Sequence, residues 1–132
     1  MIRSFAIFLI LALAPLGASA ICVGPKPAIG SVVVQSRATS GQVNHYHLVG
    51  TVTNVGQAAQ ASNTLQFVDI YQYGQRLDER GIPPLGLGSS ATFTYNWPRS
   101  VDAAAGTTTL EFEVRVVQGL NCTAKRPYSL TF

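Results

Sequence analysis

The chain has 132 residues with nine basic and six acidic side chains, and the basic residues are scattered through it. Once the N-terminal segment described next is removed, Arg3 goes with it and eight bases face six acids, a net charge near +2 that is too weak to argue for nucleic acid or an anionic membrane as partner. What remains, 132 − 20 = 112 residues, suits one small domain over 21–132.

The first twenty residues, MIRSFAIFLILALAPLGASA, open on a short basic start carrying Arg3. They run through apolar residues from Phe5 to Leu16 and close on the small triplet Ala18, Ser19, Ala20. This is the three-part layout of a secretory signal peptide, and it predicts cleavage after Ala20 and a periplasmic or secreted mature protein. The apolar run is shorter than the ~20 residues that cross a bilayer, and no later segment approaches that length, so no membrane span is expected. A lipoprotein signal needs a small residue before the modified cysteine. Here Ile21 precedes Cys22, which disfavours a lipid anchor. In an oxidising compartment the two cysteines, Cys22 and Cys122, are most simply one intramolecular disulfide. A reactive thiol and a bridge to another chain are the alternatives.

The rest of the sequence is a series of short β-type runs separated by Gly, Pro, Asn and Ser, with no apolar residues at helical spacing. The first run, 29–37, leads to the turn signal TSGQ at 39–42; the second, 44–54, ends on NVG at 54–56. On the second, alternation puts His45 and His47 on one face with Val49, Thr51 and Thr53, opposite Tyr46, Leu48 and Val52. The small-residue stretch QAAQAS at 57–62 suits a loop.

The third run, 64–73, is framed by Asp69. Burying an unpaired carboxylate costs several kcal/mol, so Val68 and Ile70 take the core side, while Phe67, Asp69, Tyr71 and Tyr73 take a wet outer face. Unless a neighbouring strand or loop covers them, these four residues form an unusually aromatic surface and are the candidate site for binding or self-association.

After the YG turn at 73–74, the fourth run, 75–81, carries RLDERG, where Asp78 and Glu79 sit beside Arg76 and Arg80 in a solvated loop or edge strand. The segment PPLGLGSS at 83–90 leads to the fifth run, 90–97. There Ala91, Phe93, Tyr95 and Trp97 alternate with Thr92, Thr94 and Asn96 and are assigned to the core, in preference to a sugar-stacking platform. After AAAG at 103–106 comes the sixth run, 107–118, with Leu110, Phe112, Val114 and Val116 inward and Glu111, Glu113 and Arg115 outward. The seventh, 123–131, follows GLN at 119–121. Short strands at this spacing predict an all-β sandwich of about seven antiparallel strands.

The segments LVGTVTNVGQAA, VDIYQYGQRL, LGLGSSATFTYNW and TTTLEFEVRV together resemble the bacterial cell-adhesion-related domain, CARDB. The resemblance covers residues 29–118 and rests on the Asn54-x-Gly56 turn, the strand ending at Gly74, and Leu85 and Gly88 ahead of the fifth strand. It implies an immunoglobulin-like β-sandwich of exported bacterial proteins and transfers no catalytic residue. Asn54 and Gly56 fit such a turn because both tolerate left-handed backbone.

Enzyme chemistry finds no footing. Both cysteines are expected to be oxidised, no serine occupies a nucleophile elbow, and Glu111 and Glu113 share a face because alternation puts them there. With no phosphate-cradling glycine loop ahead of a helix, no cofactor is expected. Met1 leaves with the signal peptide, so the mature chain has no thioether for Cu(I), and a metal would rest on His45 and His47, short of the three or four ligands zinc takes. Two readings lead. One is a non-catalytic module of the bacterial envelope that recognises a protein or glycan partner. The other is an accessory or assembly subunit using an exposed strand edge or the aromatic face, self-association included; a periplasmic metal-binding protein trails both.

Overall fold

The computed structural model describes residues 22–103, 106–122 and 127–132. Seven strands form: β1 (Pro27–Ser40), β2 (Val43–Asn54), β3 (Leu65–Gln72), β4 (Gln75–Ile82), β5 (Ser90–Ser100), β6 (Thr109–Gln118) and β7 (Tyr128–Thr131). Of the predicted seventh strand, 128–131 is present and 123–126 lies outside the described residues. Among the described residues there is also a 3-10 turn at Val101–Ala103, where the sequence shows no helical spacing. β1, β2 and β5 make one antiparallel sheet in the order β1-β2-β5; the other runs β4-β3-β6-β7. This is an immunoglobulin-like sandwich, with the fourth strand on the sheet of β3 and β6.

The core lies where alternation placed it, except that Val116, also assigned inward, is half-buried and outside the packed cluster. Leu48, Val52, Val68, Ile70, Leu110 and Phe112 are fully buried. Each contributes about 1.5–3 kcal/mol of apolar burial. Ala91, Tyr95 and Trp97 pack against this cluster and Phe93 belongs to it, so the aromatic stripe of β5 does face inward. Gly50 has a steric role here, because a Cβ at that position would run into the ring of Phe93.

The two ends of the sandwich are held by different means. At one end the start of β1 meets the β2–β3, β4–β5 and β6–β7 loops. Asn54, 1% exposed, is the hub. Its Oδ1 accepts from the Lys26 and Gly56 N–H groups at 3.0 Å each, and its Nδ2 donates to the Ala58 carbonyl at 2.8 Å and the Leu85 carbonyl at 3.3 Å. Gln60 and Gln66 exchange side-chain hydrogen bonds at 2.8 and 2.6 Å, and Gln60 reaches Asn121 at 2.8 Å. The disulfide Cys22–Cys122, with Cα atoms 5.9 Å apart, ties down the strap formed by residues 22–26 at this end, and the Cys122 N–H donates to the Pro25 carbonyl at 2.7 Å.

The structure corrects the reason given for the Asn-x-Gly turn. Neither Asn54 nor Gly56 is among the described residues with positive φ. Asn54 is needed for its amide. Gly56 is needed because a Cβ there would strike the backbone of Gly24, Pro25 and Lys26.

At the opposite end Arg99 closes the sandwich. Its Nη1 donates to the Phe132 carbonyl at 2.7 Å, its Nη2 to Tyr46 Oη at 2.6 Å, and its guanidinium lies 4.6 Å from the centre of the Tyr46 ring. Thr108 and Phe132 exchange both backbone hydrogen bonds just beyond β7.

Candidate interaction surface on the four-stranded sheet

The outer face of β4-β3-β6-β7 is built from side chains whose register follows from strand pairing. Phe67 stands between Gly81 and Arg115, Asp69 between Glu79 and Glu113, and Tyr71 between Arg76 and Glu111. Four of the six acids thus share one face with two arginines.

Asp69 departs from expectation. Val68 and Ile70 do face the core, yet the Asp69 carboxylate on the other side is not wet: the residue is 1% exposed. Arg115 covers it, with Nε on Oδ2 at 2.8 Å and Nη2 on Oδ1 at 3.1 Å, a bidentate pair. The same Nη2 also donates to Glu79 Oε2, and Arg76 approaches both carboxylates at 3.9 and 3.8 Å. The Arg115 guanidinium lies 4.9 Å from the Phe67 ring centre, so that aromatic is half-covered as well. Hydrogen bonding to Asp69, and then the charges of Asp69 and Glu79, hold the Arg115 guanidinium protonated more firmly than usual. The cost of burying a carboxylate is met by pairing, not by exposure.

Removing that partner tests the account. Arg115→Ala is expected to lower unfolding free energy by about 2–3 kcal/mol in urea titrations, below the usual penalty for breaking a buried pair because Arg76 stays close. Asp69→Asn in the Arg115→Ala background should recover most of the loss. An Arg115→Ala protein as stable as the wild type would show that Asp69 is solvated after all.

Tyr71 is half-buried and Tyr73 is 93% exposed. Tyr73 and Gly74 form the two-residue β3–β4 turn with φ of +50° and +76°, both left-handed, as a type I′ hairpin requires. Glycine takes this conformation without penalty, whereas a tyrosine pays about 1–2 kcal/mol for it. The Tyr73 ring gains little from the fold in return. On β4, the Asp78 carboxyl is held below its usual range by the Glu79 N–H first and by Arg80 second. Arg80 also donates from Nε to the Thr94 carbonyl at 3.0 Å, covering the open edge of β5.

His45 and His47 lie on the outer face of the other sheet, His45 exposed and His47 half-buried. Thr92, Thr94 and Asn96 stand beside that strand as expected, paired with Thr51, Val49 and His47. His47 Nδ1 is 2.7 Å from Asn96 Oδ1. Among the described residues no group of three or more His, Cys, Asp or Glu side chains is placed to hold a metal ion. None of the helices among them is long and apolar enough to cross a membrane.

No family model, curated protein or solved structure matches the chain. The geometry defines a class, the immunoglobulin-like β-sandwich closed by a disulfide, with one charged and aromatic sheet face.

Proposed function

We propose that the protein is an exported, non-catalytic interaction module of the bacterial cell envelope, released after Ala20. It recognises a protein or glycan partner through the Tyr73 turn and the adjoining face of Tyr71, Phe67 and the Arg115 network. The observation that carries this reading is Tyr73: a fully exposed ring on a left-handed backbone costs the fold energy and makes sense where a partner takes up the ring. Asp69 acts from beneath, fixing Arg115 so that the guanidinium presents itself already oriented. The disulfide supports an oxidising compartment, periplasmic or extracellular, and the CARDB-like reading rests on the sequence resemblance alone.

The test is direct. Tyr73→Asn should leave stability unchanged or raise it by up to about 1 kcal/mol, since asparagine tolerates the turn better. The same change should abolish capture of the partner from native envelope fractions or on a glycan array. Capture unaffected by both Tyr73→Asn and Tyr71→Ala would overturn the proposal.

A second reading rests on β1. This 14-residue edge strand exposes Val33 and Val34 and carries a single charge, Arg37. Such an edge suits assembly by strand addition, to a second copy or a larger envelope complex. A dimer in light scattering that Tyr73→Asn leaves intact and Val33→Pro dissociates would favour it.

A further inference from the structure

The outer face of the three-stranded sheet carries no charge, in contrast to the face of Asp69 and Arg115 across the sandwich. Val43, His45, His47, Val49, Thr51 and Thr53 of β2 stand there with the residues paired to them on β1 and β5, and none of these is Asp, Glu, Lys or Arg. The two imidazoles sit on the middle strand. Ala38 and Pro98 flank His45, and Ser36 and Asn96 flank His47.

His47 is already oriented. The amide oxygen of Asn96 can only accept, so the 2.7 Å contact makes His47 Nδ1 the donor and leaves the Nε2 lone pair of the neutral ring available. A ring with one nitrogen held by a hydrogen bond and the other open is the arrangement of a metal-ligating histidine. His45 lies two residues away, about 6.8 Å at the backbone. It is exposed between two side chains without polar atoms, so its ring is free to turn toward His47. Two metal bonds of about 2.0 Å at a right angle need the two nitrogens only about 3 Å apart, which that turn supplies.

The chemistry of the face selects the ion. Without a carboxylate, Mg(II), Ca(II) and Mn(II) lack the oxygen donors they favour, whereas imidazole suits copper, nickel and zinc. Two protein ligands fall short of a zinc site. Cu(II) is held most strongly by a given nitrogen site and accepts tetragonal geometry, with two imidazoles at neighbouring equatorial positions and water at the rest. The lack of a thioether in the chain after Ala20 weighs against Cu(I) and not against Cu(II).

We propose that His45 and His47 chelate one Cu(II) ion through Nε2, with Asn96 as the positioning residue for His47. The oxidation state rests on the exported location proposed above, since an oxidising compartment holds copper as Cu(II); the choice of ligands does not. The ion binds on the opposite side of the sandwich from Phe67 and Tyr71, so metal and partner do not compete.

The experiment titrates untagged mature protein, its disulfide intact, with Cu(II) by calorimetry and records the electron paramagnetic resonance spectrum. One ion per chain is expected, with a tetragonal signal split by two nitrogens, tighter than Ni(II) or Zn(II) and with no binding of Mg(II) at the same concentration. Asn96→Ala should weaken binding about tenfold at unchanged stoichiometry. Asn96→Asp, whose carboxylate still accepts from Nδ1, should restore it. His45→Gln should lose more than Asn96→Ala does and remove one nitrogen from the spectrum. Because His45 is exposed, the urea midpoint of the metal-free protein should not move. Tyr73→Asn should leave Cu(II) binding unchanged and His45→Gln should leave partner capture unchanged, so the two surfaces stand or fall separately. Failure to bind one Cu(II) per chain overturns the inference. So does binding that His45→Gln and His47→Gln together do not reduce, since the ion would then sit on another donor such as the α-amino group.

Discussion

Asn54→Ala is expected to destabilise the protein by about 3–5 kcal/mol, a large share of the roughly 5–15 kcal/mol that holds a domain of this size together. The side chain satisfies two N–H groups and two carbonyls in a site that water does not reach. Truncation leaves those four groups without partners. A buried donor or acceptor left so costs about 1–3 kcal/mol, and some of that is recovered as the loops relax. Asn54→Asp makes a sharper comparison, because its carboxylate still accepts from Lys26 and Gly56 while both donations are lost. The check is the urea midpoint at constant m-value. A loss under about 1 kcal/mol would mean that water enters and replaces the amide.

Breaking the disulfide should cost a comparable amount. Cys22 and Cys122 are 100 residues apart, so the bridge closes almost the whole domain. On the chain-entropy account a loop of that length is worth up to about 4.7 kcal/mol, less where the unfolded chain keeps structure. Cys22→Ser with Cys122→Ser is therefore expected to lower unfolding free energy by about 3–5 kcal/mol, and dithiothreitol should do the same to the wild type. A double-serine protein within about 1 kcal/mol of the wild type would show that the hydrogen-bonded strap suffices alone. Asn54 and the disulfide hold one and the same segment, 22–26. The Asn54→Ala effect measured in the double-serine background should thus be smaller than in the wild type, by the non-additivity that neighbouring sites show.

Most of the fold could be read in advance because β-sandwiches obey a short-range rule. Alternation in TLEFEVRVV and ATFTYNW fixes inward and outward faces without knowledge of which strands pair. What alternation does not carry is register, and the Asp69 error came from there. Asp69 was rightly assigned to the outer face, and the error was to take that face for a wet one. The partner that buries it, Arg115, sits opposite Phe67, one pleat diagonal to Asp69. No spacing within either strand announces that meeting. The Asn54-x-Gly56 marker likewise pointed to the right place for the wrong reason, since its geometry depends on a segment some thirty residues upstream. Tyr73 shows a different limit. The YG dipeptide marked a turn, but the left-handed φ at a tyrosine became visible only once the hairpin was closed over two residues.

The covalent path through the molecule has a mechanical consequence. Tension applied between Cys22 and Phe132 passes through the disulfide to Cys122 and then along residues 122–132, so residues 23–121 stand outside the loaded path. Among the described residues the strand under tension is β7, which is paired with β6 through four residue pairs and pinned beyond them by Thr108 and Arg99. Such a load peels one short strand while the rest of the sandwich keeps its shape. A module built this way can yield at one edge under force without unfolding.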